Sequence, residues 1–115
     1  MSDFSVVEEV MGRGIAGLHV KGFLDAHSFE QFDAALSELF ERAVYKVVVD
    51  LTDLEYVSSA GAGVLIAALS EAKEHSGEVV LVNPRESVRE VFDLLGLTQL
   101  FRLADDREEA LALFQ

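Results

Sequence analysis

Lys46-Val47-Val48-Val49-Asp50-Leu51, followed by Tyr56-Val57-Ser58-Ser59-Ala60-Gly61-Ala62-Gly63-Val64-Leu65, is the stretch that decides the fold. The first block is a short, β-branched aliphatic run, the pattern of a central strand covered on both faces. In the second block the period changes. Val64, Leu65, Ala68, Leu69 and Ala72 recur at helical spacing, so Ser58 and Ser59 fall where a buried strand and turn become a helix.

Working outward, Phe4 to Val10 and Ile15 to Val20 are rich in Val, Ile and Leu, and Gly12-Arg13-Gly14 between them allows a tight connection, which predicts a β-hairpin. Gly22-Phe23-Leu24-Asp25 leads into a helix whose apolar stripe is Phe29, Phe32, Leu36, Leu39 and Phe40. Its start is signalled either by Ser28 with Gln31 at capping-box spacing or by Asp25 as the cap. Downstream, His75-Ser76-Gly77 ends the second helix and Glu78 to Val82 is another buried strand. Asn83-Pro84 reads as a cap and first turn for a third helix with Val88, Val91, Phe92 and Leu95 inward and Gly96 just past its end. Gln99 to Leu103 suggests a short edge strand, and Asp106 with Glu109 a last helix carrying Leu111 and Phe114. The element order ββαβαβα(β)α predicts one α/β domain over residues 1–115, with a mixed, mostly parallel sheet of four to five strands and about four helices.

The composition narrows the functional classes. A net charge of -12 sets up a negative field that repels phosphate backbones and anionic headgroups, which argues against nucleic acid and membrane surface and for a partner with a basic patch. There is no cysteine, so disulfides, thiol nucleophiles and thiolate metal sites are excluded together. The first residues, Met1-Ser2-Asp3-Phe4-Ser5, lack the pattern of a signal peptide, and no apolar run reaches bilayer-spanning length, so a cytoplasmic location without membrane insertion is expected.

Catalytic and cofactor patterns are weak. His19, His27 and His75 do not share metal-ligand spacing. Ala60-Gly61-Ala62-Gly63 has no Lys-Ser/Thr pair after it and no third glycine, so small residues for close packing explain it without a cofactor. Val57-Ser58-Ser59-Ala60-Gly61 lacks the leading glycine of a nucleophile elbow. Asp50, read as the end of its strand, either faces a ligand or binds backbone amides of the next loop. Ser58 and Ser59 by themselves read as helix caps.

Gly22-Phe23-Leu24-Asp25, Val47 to Leu51 and Tyr56 to Leu65, continued by Gly77 to Val82 and Val88 to Leu97, resemble the STAS domain of bacterial anti-sigma factor antagonists over nearly the whole chain. The resemblance implies a partner-switching regulator, not an enzyme. Such a domain binds an anti-sigma factor that is also a serine protein kinase, frees a sigma factor, and is released by phosphorylation at this turn; a phosphatase resets it, and the kinase supplies the nucleotide. Aligning the family motif Asp-Ser-Ser/Thr-Gly-Leu-Gly on Gly61 and Gly63 puts Ser58 at the aspartate, Ser59 at the phosphoacceptor and Ala60 at the second hydroxyl residue. Ser59 is therefore the expected acceptor and Ser58 the second candidate. Asp25, Asp50, Ser58, Gly61 and Ala62 are the expected partner-binding positions. Two other readings remain: a STAS scaffold or transporter- or signalling-complex subunit that is never phosphorylated, and a small hydrolase or transferase using Ser58 or Ser59 as nucleophile with Asp25, Asp50 or His27 assisting.

Overall fold

The computed structural model describes residues 3–114. Strands β1 (Phe4–Gly12) and β2 (Ile15–Leu24) form the expected hairpin, with Gly14 at a φ of 71° closing its turn. Helix α1 (Phe29–Glu41) leads to β3 (Lys46–Val57), α2 (Ser59–Glu74) to β4 (Glu78–Val82), and α3 (Glu86–Leu94) with the single turn α4 (Leu97–Leu100) to β5 (Arg102–Ala104); α5 (Arg107–Ala112) follows. The sheet runs β1-β2-β3-β4-β5, antiparallel at β1/β2 and parallel thereafter.

This order dictates the layering. Each parallel strand is added on the same side of the last, so crossovers of one hand lay their helices on one face. There Phe32, Leu36 and Leu39 of α1, Leu65 and Ala72 of α2, and Val88 and Phe92 of α3 pack on Leu18, Val20, Val47, Val49, Leu51 and Leu54 as a single core. On the other face, Val48, Val80, Val82 and Ala104 meet Ala110 of α5, which packs mainly on β3, β4 and β5 and reaches β1 through an ion pair between Arg107 and Glu9. Met11 and Ile15, at the hairpin end of β1 and β2, border this second cluster.

Several boundaries differ from the sequence expectation. Both β2 and β3 run further than the aliphatic runs implied: β3 continues past Asp50 to Val57, because register shifts in its pairing with β2 after His19 and Gly22 let the ladder absorb the extra residues. Asp50 is thus inside the strand, not at its end. Ser28 flanks α1 but does not cap it, since its hydroxyl turns back to Asp25 and Phe23. Asn83 is not the cap of α3. Its N–H continues the ladder to the Ala104 carbonyl at 2.9 Å and its side chain reaches Thr52, with a φ of 50°, so the helix starts only at Glu86. Leu95 is exposed, whereas Leu97 and Phe101 are buried, which turns residues 97–100 into a helical turn and shifts the edge strand to Arg102–Ala104. The Asp106 cap is as expected, its carboxylate accepting from the Glu109 N–H at 2.8 Å.

Candidate functional site

The start of α2 is stitched to the end of β2. The Ser58 N–H donates to the Leu24 carbonyl at 2.9 Å, and the Ser58 carbonyl accepts from Ala62 at 2.9 Å as the first bond of the helix. Ser58 adopts the extended backbone of an N-cap, and its Oγ accepts from the Gly61 N–H at 3.3 Å. A Cβ on Gly61 would stand 2.6 Å from Leu24 Cγ and 3.1 Å from the Leu24 carbonyl oxygen, so only glycine lets the helix sit this close to the strand. Ala62 is buried beneath the same turn.

The two serines therefore have different circumstances. Ser58 is half-buried and committed by backbone and side chain; Ser59, one residue on, is exposed, and its hydroxyl makes no hydrogen bond among the described residues. Ala60 and Gly63 beside it are also exposed, and a Cβ on Gly63 would meet nothing within 4 Å. Close packing thus explains Gly61 and Ala62 but not Gly63. The first turn of α2 carries no acidic side chain, so its unpaired amides and the positive end of the helix dipole have no anion opposite them.

Asp25 flanks this turn from the far side of Leu24. Its carboxylate accepts from the His27 N–H at 2.9 Å, and its carbonyl accepts from the Phe29 N–H at 2.9 Å. The buried Ser28 hydroxyl accepts from the Asp25 N–H at 2.9 Å and donates to the Phe23 carbonyl at 2.6 Å, fixing the connection between β2 and α1. The sequence reading missed the aromatic pair Phe23 and Tyr56, which lie opposite each other in the β2/β3 register with centroids 6.3 Å apart, 41% and 47% exposed. The signal was available: each immediately precedes an inward residue, Leu24 or Val57, at the end of an alternating strand.

Asp50 belongs elsewhere. It alternates with the core residues Val49 and Leu51 and so faces the α5 side of the sheet, half-buried. Its carboxylate accepts from the Thr52 N–H at 3.0 Å and hydroxyl at 2.7 Å, and meets His19 Nδ1 at 3.3 Å, while His19 Nε2 meets Asp53 at 2.8 Å. Burial is the largest single influence and raises the Asp50 pKa; the Thr52 bonds and His19 together outweigh it and hold the carboxyl below its usual value. Asp50 also lines a cleft of about 420 Å³ with Thr52, Asn83, Asp105 and Asp106. No hydrogen bond among the described residues links this network to the serine turn.

Against known proteins, residues 10–110 match the family model described as the STAS domain. A Bordetella bronchiseptica protein named as an anti-sigma factor antagonist, BtrV, is 34% identical over 109 residues, 95% of this chain and 92% of its own length. The anti-sigma factor antagonist SpoIIAA, solved in its unphosphorylated form, superimposes with a TM-score of 0.81 at 29% identity, covering 93% of each chain. The phosphorylated form of SpoIIAA, from Bacillus, gives 0.75 at 28% identity over 96% of this chain and 100% of the other. No helix among the described residues is long and apolar enough to cross a membrane.

Proposed function

This chain belongs to the STAS domain family, and we propose that it acts as an anti-sigma factor antagonist: it binds an anti-sigma factor that is also a serine protein kinase, frees the sigma factor, and is released by phosphorylation of Ser59. The observation that carries this reading is the division of labour between the serines. Ser58 is held in the cap, and Ser59 presents a free hydroxyl at the first position of α2. A likeness to SpoIIAA, which has been solved with and without its phosphate, supports a switch at this turn.

A phosphate on Ser59 adds about -1.5 to -2 charges. Within the chain it faces unpaired helix amides and no carboxylate in that first turn, so the fold tolerates it. At an interface the same group must lose water against the partner's surface, and every ~1.4 kcal/mol of mismatch weakens binding tenfold. A small covalent change therefore exchanges partners without refolding the domain.

In this reading Asp25 and Ser59 meet the partner, Phe23 and Tyr56 supply apolar area beside them, and Ser58, Gly61 and Ala62 act by positioning α2. Asp50, on the α5 side of the sheet, is left out of the contact surface. In the same reading the kinase brings ATP, and a phosphatase resets the serine.

Incubation with the anti-sigma kinase and ATP, followed by mass spectrometry, is expected to place one phosphate on Ser59. Ser59→Ala should stay bound to the partner in the presence of ATP, and Ser59→Asp should bind poorly. A phosphate found only on Ser58 contradicts the assignment. A stable complex with no phosphate anywhere favours the second reading, an unphosphorylated STAS binding module, for which the specific observation is Ser58 standing where the family motif carries aspartate.

A further inference from the structure

We propose that two copies of this chain pair through their β1 edges, antiparallel about a two-fold axis at Glu8, joining two five-stranded sheets into one. The inference concerns a surface distinct from the serine turn and does not depend on the reading given to it.

Main-chain geometry defines the edge. In an antiparallel pair, alternate residues of a strand point both N–H and C=O at the neighbour and the others point both away. The Phe23 N–H donates to the Asp3 carbonyl, and the unbroken register from Phe4↔Gly22 to Val10↔Ala16 carries that alternation along β1. The groups of Val6, Glu8 and Val10 therefore point away from β2. Among the described residues no other strand lies on that side and these groups meet no other element. The opposite edge, β5, is only three residues long.

The residues on this edge fit a second copy of themselves. Centring the axis on Glu8 sets Val6 opposite Val10 of the other copy, twice, and Glu8 opposite Glu8, which gives three doubly bonded residue pairs. Val10, 84% exposed in the single chain, is then covered by a β-branched neighbour. The one like-charge pair is neutralised within each copy, because Arg42 Nη2 holds Glu8 Oε2 at 2.7 Å. The net charge of -12 per chain opposes association, so pairing is expected to tighten with added salt, which screens the long-range repulsion more than the short contacts.

Analytical ultracentrifugation of the full chain is expected to show a monomer–dimer equilibrium whose dissociation constant falls as sodium chloride is raised from about 0.02 M to about 0.5 M. Glu8→Pro removes an outward donor and leaves the β2 pairing intact, and should weaken the dimer by about tenfold or more with an unchanged circular dichroism spectrum. The absence of cysteine makes the register testable. Under oxidation, Glu8→Cys should form a self cross-link, whereas Val10→Cys should cross-link only when mixed with Val6→Cys. A monomer at every concentration and salt, cross-linking of Glu8→Cys no faster than of Ser76→Cys, or a monomer whose β1 amides instead bind an alternating Lys-Val heptapeptide would each overturn the proposal.

Discussion

Replacing Gly61 and Gly63 by alanine, two positions apart on α2, should move stability in opposite directions. In Gly61→Ala the new methyl lies 2.6 Å from Leu24 Cγ, 3.0 Å from Leu24 Cδ2 and 3.1 Å from the Leu24 carbonyl oxygen. Leu24 has nowhere to retreat, being fully buried and bonded through that carbonyl to the Ser58 N–H. Overpacking of this kind costs about 1–3 kcal/mol, and the rigid surroundings place it near ~3. The helix-propensity gain of Gly→Ala, about 1 kcal/mol, offsets part of that and leaves a net loss of about 2. Gly63→Ala receives the same gain with nothing within 4 Å to oppose it, so it should stabilise by up to about 1 kcal/mol. The difference between the variants isolates the contact with Leu24 at about 3 kcal/mol, since the propensity contribution is common to both. In urea denaturation, with slopes of about 1–3 kcal/mol per molar, their midpoints should lie about 1–3 M apart on either side of the parent, with unchanged slopes. A Gly61→Ala midpoint at or above the parent's would refute the claim that the helix start is held against the strand by the missing side chain.

Ser28→Ala should lower stability by about 1–2 kcal/mol, because it strands the Phe23 carbonyl and the Asp25 N–H in a part-buried connection. Thermal denaturation checks the loss, and hydrogen exchange at the Asp25 amide should accelerate; a loss under about 0.5 kcal/mol would show the hydroxyl is dispensable. Asp50→Asn should destabilise the chain at pH 7, by a margin that shrinks with acid. A carboxyl held below its usual pKa contributes fully above the unfolded value, about 3.9, and that contribution vanishes as the pH falls through the lower folded value. Melting curves for both proteins should therefore converge below about pH 4, and a constant gap at all pH values would assign the effect to packing instead.

Much of the architecture was legible because its signals are local. The spacing of Val64, Leu65, Ala68, Leu69 and Ala72 required a helix, and all five side chains are buried on it. Asp106 and Glu109 announced a cap, and Gly96, at a φ of 78°, the end of α3. What failed was wherever distant atoms outbid a local preference. Asn83, a good cap by type, is taken by Ala104 and Thr52. Ser28, at capping-box spacing, is taken by Phe23 and Asp25. Leu95 lost its inward place to Leu97, which no periodicity distinguishes from it.

The same division runs through the serine turn and the β1 edge. The sequence alone determined that two hydroxyls stand where a strand becomes a helix, and that the chain opens with a hairpin, because both follow from residue type and spacing over a few positions. Only the tertiary structure decided which hydroxyl is free, since that depends on the Leu24 carbonyl, 34 residues before Ser58, capturing its N–H and fixing it as the cap. Only the tertiary structure, likewise, left the outward main-chain groups of Val6, Glu8 and Val10 without a neighbouring strand, because strand order is set by how crossovers pack on a sheet and no single strand encodes which of its edges will be covered.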